Sequence, residues 1–159
     1  MYPPVGFHFR ILFKGLDPAQ FTDIGFQSIT GLEAFINSNE THTFDRQNPA
    51  PEAVSFSTLV LRRAVVDIKE SPLIQWISLW INKEKQVPLK EVYIELLNEE
   101  HHPYMRWGIT DVRPKSWKLG ELNAEKSEVL IETIELSYTK LIFDPKEQVK
   151  QPSKGKRGN

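Results

Sequence analysis

The sequence predicts a mainly β protein, a two-sheet barrel or sandwich of about seven strands with one packed α-helix. Two observations predict it. Residues 5–13 alternate with period two, placing Val5, Phe7, Phe9, Ile11 and Phe13 on one face. Residues 71–82 instead repeat their apolar side chains at helical spacing. A chain of 159 residues with 40% hydrophobic content is long enough for about one domain with a real core.

Alternation of β-branched and aromatic residues with polar ones predicts the remaining strands. In order, the predicted strands are 5–13, 25–34, 35–43, 54–63, 89–97, 104–112 and 127–139. The last strand is irregular, because Val129 and Ile131 share one phase whereas Ile134 and Leu136 follow the opposite phase. That switch predicts a bulge, or a strand that crosses from one layer to the other.

The helix prediction depends on a start signal as well as on spacing. Ser71 suits the N-cap, and Pro72 suits the first helical position. The apolar stripe of 71–82 comprises Leu73, Trp76, Ile77 and Trp80, widened by Ile74, Leu79 and Ile81. So wide a stripe indicates a helix that is buried on several sides.

Two segments lack periodicity. Residues 44–53 contain two prolines and predict a loop long enough to carry a function. Residues 145–159 are polar, basic and without aromatics, which predicts a disordered tail after a single domain spanning 1–144.

Composition excludes several classes of function. Twenty Lys and Arg against 21 Asp and Glu give a net charge of -1, so no basic field for nucleic acid is present. The chain has no cysteine, which excludes disulfides, thiolate zinc sites and Cys nucleophiles. No apolar run approaches the roughly 18 residues that span a bilayer, and no secretory signal opens the sequence, so we expect no membrane insertion by this chain alone.

We expect no catalytic, cofactor or metal site. His101 and His102 stand beside two glutamates within 98–103, but neighbouring side chains of a strand face opposite ways, which favours a solvated turn over a metal site. Glu132 and Glu135 should likewise face opposite sides of their strand. No serine lies in a nucleophile elbow, and no glycine-rich phosphate loop is present.

The predicted strands indicate assembly. Their polar faces carry Thr, Tyr and Glu rather than protective lysines, and a sheet with such edges tends to pair with another chain.

Several segments, in order and spacing, resemble the phage tail tube protein family, which includes inner-tube proteins of contractile injection systems. The segments are "YPPVGFHFRILF", "FQSITGLEA", "FSTLVLRRAV", "SPLIQWI" and "RWGITDVRPKSWKLGELNAEKSEVLIETIELSY". The resemblance spans about Tyr2 to Tyr138. "GITDVRPKSW" with the following "LNA" and "IETIEL" is its most specific part.

The resemblance implies hexameric rings in which strands of six subunits complete one larger barrel, with rings stacked into a tube inside a sheath. It implies a bacterial cytoplasmic origin, sheath, baseplate hub and tube partners, and a lumen for protein effectors or DNA. It makes residues 1–144 a tail-tube domain, and the opening "YPPVGFHF" favours a baseplate-end, tube-initiating subunit. Whether the particle is a phage tail or an extracellular injection device stays open.

The resemblance also implies an interface role for the loop, because the corresponding family loop reaches a neighbouring subunit or ring. Its candidate interface residues are Asp45, Arg46, Gln47, Asn48 and Pro49. Arg62 and Arg63 are further candidates, with contact to a neighbour's acid and simple solvation held equal.

Two other functions remain open. The first is a free-standing, monomeric β-sandwich module that recognises a peptide or glycan. The second is a β-barrel enzyme with a metal site at His101 and His102.

Overall fold

The computed structural model describes residues 8–16, 23, 25–37 and 53–145. Within them lie nine strands, one α-helix (α1, Pro72–Ile81) and a short 3₁₀ helix (Ile68–Glu70). The strands are β1 His8–Phe13, β2 Phe26–Thr30, β3 Ala34–Asn37, β4 Ala53–Phe56, β5 Leu59–Ala64, β6 Leu89–Leu97, β7 Pro103–Leu119, β8 Ile131–Ser137 and β9 Lys140–Phe143. The mainly β prediction with one helix is confirmed.

Seven strands form one antiparallel sheet in the order β1-β6-β7-β8-β5-β2, with β9 also beside β7. The 17-residue β7 joins its two halves. Its first part pairs with β6 and β9, forming with β1 what we call the first half-sheet. Its last part pairs with β8, forming with β5 and β2 the second half-sheet.

The core lies between these half-sheets. The first contributes Ile11, Val92 and Ile109, and the second contributes Leu61 and Ile134, all fully buried in one cluster. Because alternate residues of a strand share a face, these side chains of both half-sheets point into the same core.

The helix α1 packs against this core with one face. The prediction that it is buried on several sides is wrong, because Leu79 and Ile81 are exposed. Leu73, Trp76 and Ile77 are buried. The Ser71 side chain accepts a hydrogen bond from the Ile74 N–H at 3.1 Å, so the predicted N-cap is confirmed. At ten residues, α1 is too short to cross a membrane, and the described part of the chain has no longer helix.

Strands β3 and β4 form a separate two-stranded sheet, which we call the ribbon. The ribbon continues the β2–β5 pair. Thr30 pairs with Val60 on one side of a break and Ala34 with Phe56 on the other, so both strands advance by the same number of residues. Sequence alternation merged β4 and β5 into one predicted strand, 54–63, because only the two residues 57 and 58 separate them.

The irregularity predicted for the last strand, 127–139, as a bulge or a crossing between layers, is wrong, and the strand covers only Ile131–Ser137. Strand β8 is regular, and Glu132, Ile134 and Leu136 all face the core. The apparent change of phase arose because Val129 precedes the strand and is exposed, and because the buried position 132 is occupied by a glutamate. The irregularity belongs to the partner strand β7, between Pro114 and Ser116.

The bounds of other strands can also be compared with their predicted bounds. Strand 89–97 is confirmed, while 104–112 extends to Leu119 because β8 pairs with residues beyond the apolar alternation. Strand β9 was missed. Of the predicted tail, Pro145 is described, and it lies so close to Gly108 that a Cβ there would be 3.2 Å from its ring. The rest, 146–159, lies outside the described residues and stays a prediction.

Candidate functional site

The ribbon exposes apolar side chains away from the core. Ile36 is 72% exposed, Val54 53% and Phe35 46%. Ile36 and Val54 are directly paired across the strands, so they form one apolar spot. A two-stranded sheet is marginally stable alone, and an exposed apolar patch marks an interaction site. The ribbon is therefore a candidate contact surface.

The two ends of the large sheet are also candidate contacts. Strands β1 and β2 are its terminal strands, and within the described residues neither pairs with another strand on its outer side. The two lie near each other, with Phe13 and Phe26 ring centroids 6.4 Å apart, but no ladder joins them. Each outer edge presents backbone N–H and C=O groups that a further strand would pair with.

A third surface is an apolar groove between α1 and the end of β7. It has a volume of about 270 Å³. Its lining consists of Ile68, Ile74, Ile77, Ile81 and Trp117 together with the polar Ser78 and Asn82. The groove is a hydrophobic depression without ionisable lining residues, so it is suited to packing rather than to catalysis.

The consecutive arginines proposed as interface residues lie on opposite faces of β5. Arg62 is exposed, whereas Arg63 is 1% exposed. The Arg63 guanidinium donates to Asp23 Oδ1 at 2.6 Å, to Glu132 Oε2 at 2.9 Å and to Ser71 Oγ at 2.8 Å. The exposed Arg62 thus remains a candidate for an intermolecular contact. The Arg63 guanidinium instead forms its hydrogen bonds within its own chain.

This buried cluster of Asp23, Arg63, Ser71 and Glu132 fixes α1 to the sheet. Asp23 Oδ2 accepts from the Leu73 N–H in the first turn of α1, where a carboxylate also opposes the positive helix terminus. Within the described residues every buried side-chain polar atom has a partner. Sequence reasoning missed this cluster because Asp23 and Glu132 look like surface residues; the phase switch in β8 was its one signal.

A second ionic cluster lies on the outer face of the first half-sheet. Glu95, fully buried, accepts from Arg10 Nε at 2.7 Å and from Arg106 Nε at 2.9 Å, one arginine on each neighbouring strand. Burial works to raise the pKa of Glu95, but the hydrogen bonds and charges of Arg10 and Arg106 outweigh it and lower that pKa below 4.5. The cluster ties β1, β6 and β7 together.

The loop residues Asp45, Arg46, Gln47, Asn48 and Pro49 lie outside the described residues. They belong to the segment 38–52, which connects the two strands of the ribbon. Their interface role stays a prediction.

The histidines considered for a metal site lie in a polar turn, as predicted. Asn98 Oδ1 accepts from the Glu100 and His102 N–H groups, and the His101 ring stacks on His8 with centroids 5.1 Å apart. Among the described residues, no group of three His, Asp or Glu side chains is arranged to hold a metal ion. Glu132 and Glu135 face opposite sides of β8, as expected.

Comparison with known proteins agrees with this architecture. The family model for the T4-like virus tail tube protein gp19 matches residues 5–142. A chain in the cryo-EM structure of the anti-feeding prophage baseplate, 6-fold symmetrised, is 30% identical with a TM-score of 0.71, and the match covers 90% of this chain and 96% of that one. No curated protein sequence matches the chain.

More distant structures share the fold. A chain of the PVC sheath–tube complex in the extended state, an extracellular contractile injection system, is 20% identical with a TM-score of 0.62, covering 89% of this chain and 91% of that one. Hcp1 from Salmonella typhimurium is 13% identical with a TM-score of 0.54, covering 86% and 85%.

The matched family is structural, and several matched structures come from assembled particles. The family match extends over most of the sequence, and the baseplate chain matches over nearly its whole length. This chain belongs to the T4-like virus tail tube protein family and is a structural subunit of a tube.

Proposed function

We propose that six copies of this chain close into a ring and that rings stack into the inner tube of a contractile injection system or phage tail. The observation that carries the proposal is that β1 and β2 end one sheet and that, among the residues the structure describes, neither has a strand partner on its outer edge. Two different edges on one subunit permit head-to-tail pairing. Such pairing closes into a ring when the rotation between neighbouring subunits is a whole fraction of a full turn. Six-fold symmetry is taken from the baseplate structure whose chain is 30% identical.

The ribbon supplies the second contact in this proposal. Its Ile36–Val54 pair buries its exposed apolar surface against a neighbouring copy, either in the same ring or in the next one. Residues 45–49, which belong to the chain segment between the two ribbon strands, and the exposed Arg62 are further contacts in this proposal. Obligate assemblies of this kind bury roughly 2,000–5,000 Å² per interface.

The mechanism is mechanical and requires no catalysis by the chain. Contraction of a sheath drives the tube through a target envelope, and the tube must stay intact meanwhile. Paired strand edges add backbone hydrogen bonds worth about 0.5–1.5 kcal/mol each, and their number in a closed ring makes the assembly cooperative. In this proposal the partners are the sheath, the baseplate hub and other tube proteins. The lumen holds protein effectors or DNA. The chain is made in the bacterial cytoplasm.

Within the tube, we place this subunit at the baseplate end, where the tube is initiated. Sequence identity supports that position. It is 30% with the baseplate chain, 20% with the sheath–tube chain and 18% with the chain of the tube-terminating cap. Labelling the subunit in intact particles tests the position. Label confined to the baseplate end agrees with it, whereas label along the tube contradicts it.

Assembly itself is tested with the double variant Ile36→Ser/Val54→Ser. We expect wild-type protein to form rings with a central hole by negative-stain microscopy, and the double variant to stay monomeric by native mass spectrometry. Leu122→Ser/Val129→Ser is the matched control, since both residues are exposed aliphatics outside the ribbon. It should form rings like the wild type.

Two outcomes contradict the proposal. Ring formation by the ribbon variant at wild-type concentrations removes the ribbon from the interface. A wild-type chain that stays monomeric at high concentration, even with baseplate components added as a template, favours the free-standing binding module instead.

A further inference from the structure

The ribbon meets the rest of the subunit at the break between β2 and β3 and between β5 and β4, formed by residues 31–33 and 57–58. On the core side of the break, odd-numbered residues face inward, as Ile29 and Leu61 show. On the ribbon side, the even-numbered Phe56 packs against the core. The break therefore turns the ribbon over, and it carries Ile36 and Val54 on the same face as Phe56.

One side chain, Tyr138, fills this break. It follows β8 directly and is 5% exposed. Its hydroxyl oxygen accepts from the Glu33 N–H at 3.2 Å, and its single proton lies within reach of the Gly31 carbonyl oxygen at 2.9 Å and the Glu33 carbonyl oxygen at 3.2 Å. These partners lie more than 100 positions away in the sequence, so the contact fixes the ribbon to a distant strand.

The tyrosine ring completes the attachment. Its centroid lies 5.1 Å from that of Phe56 in a tilted arrangement, a geometry that aromatic pairs favour. The hydroxyl thus holds the β3 side of the break and the ring holds the β4 side.

The backbone of the break is unusual at Gly31. Its φ is +89°, and a Cβ there would lie 1.8 Å from the Thr58 carbonyl oxygen. Only glycine tolerates both conditions. On the other side of the same break, the Ser57 N–H donates to the Glu33 carbonyl at 3.1 Å, and Ser57 Oγ donates to Glu33 Oε1 at 3.1 Å. The strands thus stay joined while the ribbon changes direction.

We propose that Tyr138 is a positioning residue that fixes the direction in which the ribbon projects, and thereby presents Ile36 and Val54 to a second copy of the chain. The inference rests on the proposed ring assembly and adds the control of its geometry. A flexibly attached ribbon would lose conformational freedom on binding, and such ordering lowers affinity. Fixing the ribbon in advance removes that cost.

The test is Tyr138→Phe, which keeps the ring and deletes only the hydroxyl. We expect a folded subunit in which the Glu33 amide exchanges with deuterium faster, while the Ser57 amide, which has a backbone partner, exchanges as before. The critical concentration for ring formation should rise about tenfold, since the ordering of the ribbon is then deferred to assembly. Tyr104→Phe, which deletes an exposed tyrosine hydroxyl, is the matched control and should change neither quantity.

Three results overturn this inference. A variant with unchanged Glu33 exchange shows that the hydroxyl does not hold the break. Faster exchange with an unchanged critical concentration shows that ribbon direction does not control assembly. A variant that fails to fold shows that the hydroxyl supports the whole subunit rather than the ribbon.

Failure of the proposed function is recognised separately. If Ile36→Ser/Val54→Ser also forms rings normally, the ribbon is not an interface at all. If that variant stays monomeric while Tyr138→Phe assembles like the wild type, only the role of Tyr138 is wrong.

Discussion

Arg62 and Arg63 are identical in chemistry and adjacent in sequence, yet the strand turns one toward solvent and the other into the core. The charge of Arg63 is tolerated there because two carboxylates and a hydroxyl accept hydrogen bonds from its guanidinium. Sequence reasoning treated the pair alike, since the acids that bind Arg63 lie 40 and 69 positions away. Alternation alone would have separated the two faces, but it could not have said which face is buried.

Replacing these two residues in turn gives a matched comparison. Arg63→Ala leaves Asp23 and Glu132 buried without their cation, so we expect the free energy of unfolding to fall by about 3–5 kcal/mol. Arg62→Ala, at an exposed position, should change it by no more than about 0.5 kcal/mol. Urea titration of both variants measures the difference. Equal losses would mean that the buried cluster contributes nothing specific.

Glu95 makes stability depend on pH. Because its pKa in the folded chain is below the ordinary 4.5, its contribution is fully present above that value and is lost as the pH falls through the folded-state pKa. We expect the wild type to lose stability below about pH 4.5 and Glu95→Gln, which cannot ionise, to follow a flatter curve. Thermal unfolding across that range measures both. Glu99→Gln, an exposed change, should follow the wild type; parallel curves for all three would refute the assignment.

Among the elements, α1 was the most predictable, and the reason is local. Its cap, its first-turn proline and its apolar stripe all lie within residues 71–82, so no distant contact decides them. The ribbon is the opposite case. Its separation from the large sheet depends on Gly31 meeting Thr58 and on Tyr138 reaching both sides of the break, which are contacts between distant segments.

The segment between the ribbon strands is expected to act in assembly and not in folding. Because Ala53 already belongs to β4, the change to make is replacement of 44–52 by glycine and serine residues of equal number. We expect an unchanged melting temperature, since this segment connects strands whose register is set elsewhere, and no tube growth by electron microscopy. The same replacement in the exposed connection 121–129 serves as the control. Tubes of unchanged length from the first variant would contradict the role.

At the scale of the whole molecule, the sequence predicted the class of fold and the family, but not how the strands divide. Period-two alternation identifies strands wherever one face is buried, which covers β1 and β8. It does not detect the last part of β7, whose residues alternate between exposed and half-buried, or the four-residue β9. The candidate surfaces were predicted only in part, because the order of the described strands decides which of them lie at a sheet edge and which form the separate ribbon.

The continuity of β7 across both half-sheets has a consequence for how the subunit resists shear between them. Sliding one layer over the other would require stretching a single covalent backbone or stripping its ladders on both sides at once. A subunit built from two separate layers would instead shear along the apolar seam. The long strand thus links the two half-sheets covalently, so each copy resists this sliding before any neighbour is added.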